Sequence, residues 1–273
     1  MQDPRLPRDL ERQIFLIALQ HNFADVGNLL FISKRVHDWL HPSAFKVVVL
    51  TRDRKFPILF TLEKFQKYGH HIRSLYIGPD IGVDQTRSLE YISLCPNLTN
   101  LATFQANIDP IRLQDTLSPL QLTRLVIEAM AILYAPPSAQ LLQLFANITH
   151  LHLLGPFSPD LKLFPGLPPP FLEPFFPSLT HIAFLYTYIR NHLENAIQGW
   201  KTLQAVVLWS PSRAINEQLA FEMQSLHPRL VFIHCQMVHP WDGARGSGPD
   251  IWELADTALQ SSTRIWREPR RVR

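Results

Sequence analysis

An apolar triplet of the form apolar-x-x-apolar-x-apolar recurs along this chain, and a sequence so patterned has few ways to fold. It reads FKVVVL from Phe45, IRSLYI from Ile72, LTNLAT from Leu98, LTRLVI from Leu122, ITHLHL from Ile148, LTHIAF from Leu179, LQAVVL from Leu203 and LVFIHC from Leu230. One copy means little in a chain that is 46% hydrophobic, so the spacing carries the weight. Successive copies begin 27, 26, 24, 26, 31, 24 and 27 residues apart. The last two triplet positions alternate with other residues, which predicts a strand with one buried face. Between copies, RSLEYISLC, SAQLLQLFAN, NHLENAIQGW and NEQLAFEMQSLH set apolar residues three or four apart, the spacing of an amphipathic helix. CPN, FPS and HPR stand just before Leu98, Leu179 and Leu230, and a proline there stops a helix and primes extended backbone.

A strand and a helix per repeat cannot bury their apolar sides alone, but stacked neighbours can. All but one of the intervals fall within the 20 to 29 residues of leucine-rich repeats. The expected fold is therefore α/β: a leucine-rich-repeat-like solenoid over residues 45–240, with a parallel sheet inside and helices outside. Residues flanking the middle triplet position should line the concave face. One column is then Ser74, Asn100, Arg124, His150, His181, Ala205 and Phe232, and the next is Tyr76, Ala102, Val126, His152, Ala183, Val207 and His234. Trp209 falls in a third. Aromatic residues and arginine dominate protein interfaces, so Tyr76, Arg124, His150, His152, His181, Trp209 and Phe232 are the candidate contacts to a protein target. The three histidines would lie near one another at the ~4.8 Å strand spacing, but no assigned partner completes a metal site.

The long interval holds FPGLPPPFLEPFFP, residues 164–177, whose six prolines exclude a regular helix; it reads as a surface insertion packed by Phe171, Phe175 and Phe176. The glycine-rich break HPWDGARGSGPD, residues 239–250, leads into the C-terminal segment, residues 241–273. IWELADTALQSSTRIW follows as a terminal helix expected to cap the open end of the stack, with Ile251, Leu254, Ala258 and Ile265 near one face. The final ten residues carry five arginines, read as a solvated tail.

Residues 1–44 are different. Leu6, Leu10, Ile14 and Ala18 lie four apart, Pro7 suits a first helical turn, and Asp9 and Glu11 suit the positive end of a helix dipole. Asp25 can cap a second short helix through Leu29, Leu30 and Ile32. Ser33 can cap a third, carrying Val36, Trp39 and Leu40 until Pro42 ends it. LPRDLERQIFLIAL followed by LLFISKRVHDWLHPSAFKVVVL resembles the F-box, in the divergent fungal, basidiomycete-like form that precedes leucine-rich-repeat-like segments. The resemblance rests on Leu6-Pro7, Leu10, Ile14-Phe15, Ile32-Ser33-Lys34 and Trp39 and covers about the first fifty residues. It implies an adaptor that docks on the Skp subunit of a cullin ubiquitin ligase while its repeats hold a protein target. It marks Leu6, Pro7, Leu10, Ile14, Phe15 and Ser33 as candidate Skp contacts. Many F-boxes place the tryptophan about three residues after the serine, whereas Ser33 and Trp39 are six apart. A repeat scaffold outside any ligase is thus the alternative.

HDWLH, residues 37–41, raises a zinc-hydrolase reading. However, Asp38 is a carbon shorter than the glutamate such a helix uses, and no third ligand follows. No phosphate loop or nucleophile elbow is present, so no catalytic residue, metal or cofactor is expected. The formal charge of +3 owes much to the arginine tail, and the near-neutral body does not call for nucleic acid. No apolar run approaches a membrane span. With only Cys95 and Cys235 for disulfides, a cytoplasmic or nuclear setting is expected. Asn97 and Asn147 head sequons that lead into strands, and both are read as packing positions.

Overall fold

The triplet positions of the first seven copies face one side of a single sheet. A computed structural model describes residues 6–21, 26–51, 61–78, 84–104, 109–128, 139–154, 176–185, 202–210, 229–234, 249–261 and 265–267. The strands are β1 (Val47–Leu50), β2 (Ser74–Ile77), β3 (Asn100–Thr103), β4 (Arg124–Glu128), β5 (His150–Leu154), β6 (His181–Leu185), β7 (Ala205–Ser210), β8 (Leu230–His234) and β9 (Ile265–Arg267). They pair in chain order, and every pairing is parallel. Val48, Leu75, Leu101, Leu125, Leu151, Ile182 and Val206 stand opposite one another in a single row, so seven of the copies are in the register their spacing predicts.

The eighth copy is not. Leu230 pairs with Val206 and Phe232 with Leu208, so Leu230 takes the middle triplet place and the copy sits three residues out of phase. An odd shift exchanges the two faces of a strand. Phe232 therefore points into the helix-side core, where it is fully buried.

Helices α4 (Leu62–Tyr68), α5 (Gln85–Ser93), α6 (Pro110–Leu117) and α7 (Ala139–Phe145) cover the triplet side. Phe65, Leu89, Ile92, Leu113, Leu117 and Phe145 from these helices join the triplet residues in one core. Each fully buried leucine, isoleucine or phenylalanine in it contributes roughly 1.5–3 kcal/mol. Side-chain caps set the starts of three of these helices: Thr61 Oγ1 accepts from Lys64 N at 3.4 Å, Asp84 Oδ1 from Arg87 N at 2.8 Å and Asp109 Oδ1 from Ile111 N at 2.9 Å. The helices expected over residues 191–200 and 216–227 lie outside the described residues, as does the 164–177 insertion up to Phe175. Phe176 at its end is buried and stacks on Phe145 at 4.6 Å.

A second feature of the repeats, threonine, sits immediately after the first triplet residue. The hydroxyls of Thr99, Thr123, Thr149 and Thr180 donate to the carbonyl at the same place one copy earlier: Arg73 O at 3.2 Å, Thr99 O at 3.3 Å, Thr123 O at 3.1 Å and Thr149 O at 3.1 Å. Each of these carbonyls also takes two backbone N–H groups; that of Thr99 accepts from Thr123 N at 2.8 Å and Arg124 N at 3.2 Å. The strand entrances are thereby tied from copy to copy with few backbone acceptors left over. Asn97 Nδ2 donates to His70 O at 2.8 Å and Asn147 Nδ2 to Gln121 Oε1 at 3.1 Å, so both sequon asparagines bind the neighbouring copy.

Ahead of the sheet stand α1 (Arg8–His21), α2 (Val26–Leu30) and α3 (Lys34–Ala44). Leu19, Val36 and Leu40 make their small core, with Phe15, Leu16, Leu29, Leu30 and Trp39 packed around it. Ser33 caps α3 as expected, accepting from Val36 N at 3.2 Å. Pro42, however, does not end α3, which runs on to Ala44. In the last turn the proline forfeits a single helical hydrogen bond, which the chain tolerates. The residue after the helix, Phe45, stacks on Tyr68 at 4.6 Å and seats the three helices on the first repeat.

The C-terminal segment also departs from expectation. Its helix, α8 (Ile251–Gln260), stops at Ser261, whose backbone is extended and whose hydroxyl donates to Ala258 O at 2.8 Å. Ile265, expected on the helix, instead opens β9, which adds to the sheet beside β8. The helix does not cap the end of the stack. It packs on the sheet face opposite α4 to α7, against Ala183, Ala205, Val207, Val231 and Ile233.

Candidate functional site

Two surfaces hold the residues singled out in the sequence. The first is the outer side of α1. Leu6, Leu10, Ile14 and Ile17 are each half exposed, Ile32 is exposed, and Phe31 is 90% exposed. Leu10, Ile14 and Ile17 follow the i, i+4, i+7 spacing of one helical face. Ile17 escaped the reading by fours because a helix turns once per 3.6 residues, so the stripe drifts back by one position. Phe31 lies in the turn before Ser33 and carries no periodic signal. Pro7 is exposed and its carbonyl accepts from Glu11 N at 3.0 Å. Of the other candidates, Phe15 turns inward onto the small core, and the Ser33 hydroxyl is engaged as the cap of α3. Arg35 pairs with Glu11 through both carboxylate oxygens at 2.7 Å and lies 5.2 Å over the Trp39 ring, which fixes α1 against α3.

The second surface is the sheet face away from α4 to α7. Ser74, Asn100, Arg124, His150, His181 and Ala205 do form one row, and Tyr76, Ala102, Val126, His152, Ala183 and Val207 the next. At β8 the second row continues into Val231, not His234, by the phase shift described above. The face is not open. Tyr76, His152 and His181 are buried, and Arg124, His150 and Trp209 are partly exposed. Phe232 lies on the other side of the sheet.

What covers β6 to β8 is α8. Trp252 sets its edge against His150 and His181, with ring centroids 5.2 and 5.9 Å away. The two imidazoles stack on each other at 4.3 Å and 9°. Their Nδ1 atoms lie 2.8 Å from Thr149 Oγ1 and Thr180 Oγ1, so the threonine ladder also orients the histidines. Two polar contacts tie the helix to the sheet: Asp250 Oδ2 to Arg124 at 2.7 Å, and Asp256 Oδ1 to His181 Nε2 at 3.3 Å. Asp250 is itself buried. Its Oδ1 caps α8 by accepting from Trp252 N and Glu253 N at 2.9 Å, and Glu253 Oε2 accepts from Asp250 N at 3.1 Å.

Burial dominates the electrostatics here. It pushes His150 down to about 3, with help from His181 and Arg124, because a second positive charge in the stack is costly. His152 is pushed down to about 3 by burial alone. Its ring meets the Trp209 indole edge-on at 5.6 Å and 89°. Among the described residues, neither ring nitrogen of His152 nor Nε1 of Trp209 has a hydrogen-bond partner.

The double role of Asp250 makes a test. Asp250→Ala removes the cap of α8, about 1 kcal/mol, and strands Arg124. Because Arg124 is a third exposed, the lost ion pair adds at most about 1 kcal/mol after solvent screening. Urea denaturation should show a total loss of about 2 kcal/mol, and Asp250→Asn, which keeps a capping oxygen, should lose less than half of that. Equal losses would mean the cap is not formed.

His37 and His41, the pair from the zinc reading, have ring centroids 4.9 Å apart. His41 packs against Phe45 and Tyr68, at 4.5 Å each, and its pKa is lowered by burial, then by His37, His71 and Lys67, against a smaller rise from Asp38. Among the described residues no three histidine, cysteine or carboxylate side chains are grouped to hold a metal ion. Cys95 is buried, donates to Tyr91 O at 3.3 Å, and is pushed up to about 12 by burial, which makes it a poor nucleophile. Among the described residues no helix is long and apolar enough to cross a membrane. No family model matches the chain, and no similar sequence is found among curated proteins.

Proposed function

We propose that this chain is a non-catalytic adaptor of a Skp-cullin-F-box ubiquitin ligase, acting in the cytoplasm or nucleus. Residues 1–44 serve as a divergent F-box, and the parallel sheet with its helices is a leucine-rich-repeat-like solenoid that presents a protein target. The observation that carries the reading is the half-exposed Leu10, Ile14 and Ile17 face, with Phe31 and Ile32 exposed on the same three-helix unit. An apolar patch on a unit with so small a core is a liability unless a partner covers it. Its place directly before an in-order parallel sheet supports the same reading.

The test is retention of the purified Skp adaptor by the full-length chain. Wild type should retain it, and the double variant Leu10→Asp, Ile14→Asp should lose binding by at least tenfold while its thermal unfolding stays unchanged, since both side chains are on the surface. Wild type that retains no adaptor would remove the ligase from the reading. The alternative, a repeat scaffold outside any ligase, is favoured by the Ser33-to-Trp39 spacing and by Phe15 turning into the unit's own core. In that case the double variant still folds but has no adaptor binding to lose.

A further inference from the structure

We propose that the sheet face over β4 to β8 is a docking groove for an acidic amphipathic helix, that α8 is its resident occupant, and that a target helix of the same chemistry displaces it. This rests on the target-presenting role of the sheet but not on the ligase.

The groove has two chemical zones. One is an apolar shelf of Ala183, Ala205, Val207, Val231 and Ile233, whose small and branched side chains leave room for a helix to lie close. The other is a basic and imidazole strip of Arg124, His150 and His181 in a single row. The occupant matches both. Ile251, Leu254, Ala255 and Ala258, at i, i+3, i+4 and i+7, meet the shelf, while Asp250 and Asp256 meet Arg124 and His181. Laying one amphipathic helix into an apolar groove is a common recognition mode, and its specificity comes from such charged ends.

Three observations mark α8 as an occupant distinct from the repeat helices. It lies on the face that α4 to α7 do not use. Glycines at 243, 246 and 248 precede it in a connection of sixteen residues from His234 to Ile251, whereas only four residues separate its end from β9, so the helix leaves the groove together with the edge strand β9 while β1 to β8 stay paired. Beside its footprint the buried nitrogens of His152 and Trp209 have no partner among the described residues. A competing helix with a hydroxyl or amide at that point satisfies groups that α8 leaves unsatisfied, which is how a weaker apolar match can still win.

The experiment uses full-length protein and a fluorescein-labelled peptide spanning residues 248–262. Wild type should bind it weakly, because the groove is filled in cis. The double variant Trp252→Ala, Leu254→Ala weakens the occupant and should bind at least tenfold more tightly. Adding Arg124→Glu should reverse that gain by tenfold or more. Native-state hydrogen exchange on wild type is the second measurement: α8 amides should exchange at least tenfold faster than those of β6 and β7, through an opening that releases β9 and leaves β1 to β8 intact. Tighter binding that depends on Arg124, together with early opening of α8, supports the proposal. Peptide binding no tighter in the double variant, indifference to Arg124→Glu, or α8 protected as strongly as the sheet would each overturn it. Loss of cooperative unfolding in the double variant would do the same, by making α8 part of the fold itself. Failure to retain the Skp adaptor affects none of these readouts.

Discussion

Acidification from pH 7 to pH 5 should cost the folded chain about 2 kcal/mol through His152 alone, and His152→Leu should abolish that share. The sign follows from burial. The native imidazole titrates at about 3 and the unfolded one near 6.5, so the native state holds it neutral across this window while the unfolded state gains a proton. Stability from this group is fully present above 6.5 and is lost at about 1.4 kcal/mol per pH unit as the pH falls toward 3. His150 is shifted the same way but is more exposed, so its contribution is smaller. The measurement is urea denaturation of wild type and variant at both pH values, with the difference between them isolating His152 from every other titration. At pH 7 the variant should be as stable as wild type or up to about 2 kcal/mol more so, because two ring nitrogens without a partner among the described residues leave the interior. A variant that loses stability at pH 7 and keeps the acid slope would mean that the imidazole is paired after all.

The same histidine shows what a linear reading of the repeats can and cannot deliver. The triplets place seven strands in their observed register because their first and middle members, fully buried from Ile72 onward, admit one face inward. From that register follow the row of Arg124, His150 and His181 and its neighbour through His152. The eighth copy fails because Leu230, Val231, Phe232 and Ile233 are consecutively apolar, which leaves the period-two phase undetermined. That run, like Ala205 to Leu208 in β7, was itself a signal. A strand apolar on both sides is covered on both sides, and the cover is α8. IWELADTALQ reads correctly as an amphipathic helix, but its destination depends on contacts with residues up to 126 positions away, such as Arg124 with Asp250. The threonine ladder was visible as T after the first triplet residue in four copies, yet its role needs the carbonyl of the preceding copy, which no single repeat contains. On α1 the helical spacing was legible, while the inward turn of Phe15 was settled only by where α3 packs.

Gly69→Ala should destabilise the chain by about 3 kcal/mol, although local reasoning gives the opposite sign. Gly69 follows α4 with φ −55° and ψ −31°, a conformation any residue adopts, and replacing glycine by alanine at such a place ordinarily stabilises by about 0.4–1 kcal/mol. The obstacle is space. A Cβ on Gly69 would come to 2.0 Å from the carbonyl oxygen of Leu94 and 2.9 Å from its carbon. Both atoms belong to the backbone at the end of α5, held by Leu94 N to Glu90 O and Cys95 N to Ile92 O, so no side-chain rotation relieves the clash. The two turns must separate by more than an ångström, roughly, which opens the packing between the first two repeats. The damage should reach the three-helix unit as well, because Tyr68, next to Gly69, is the platform on which Phe45 and His41 seat α3. Urea denaturation measures the loss, and hydrogen exchange locates it, with protection falling in α3 and β1 before β6 and β7. A neutral or stabilising alanine would show that the repeats do not approach so closely there, and that the three helices are held by their own core alone.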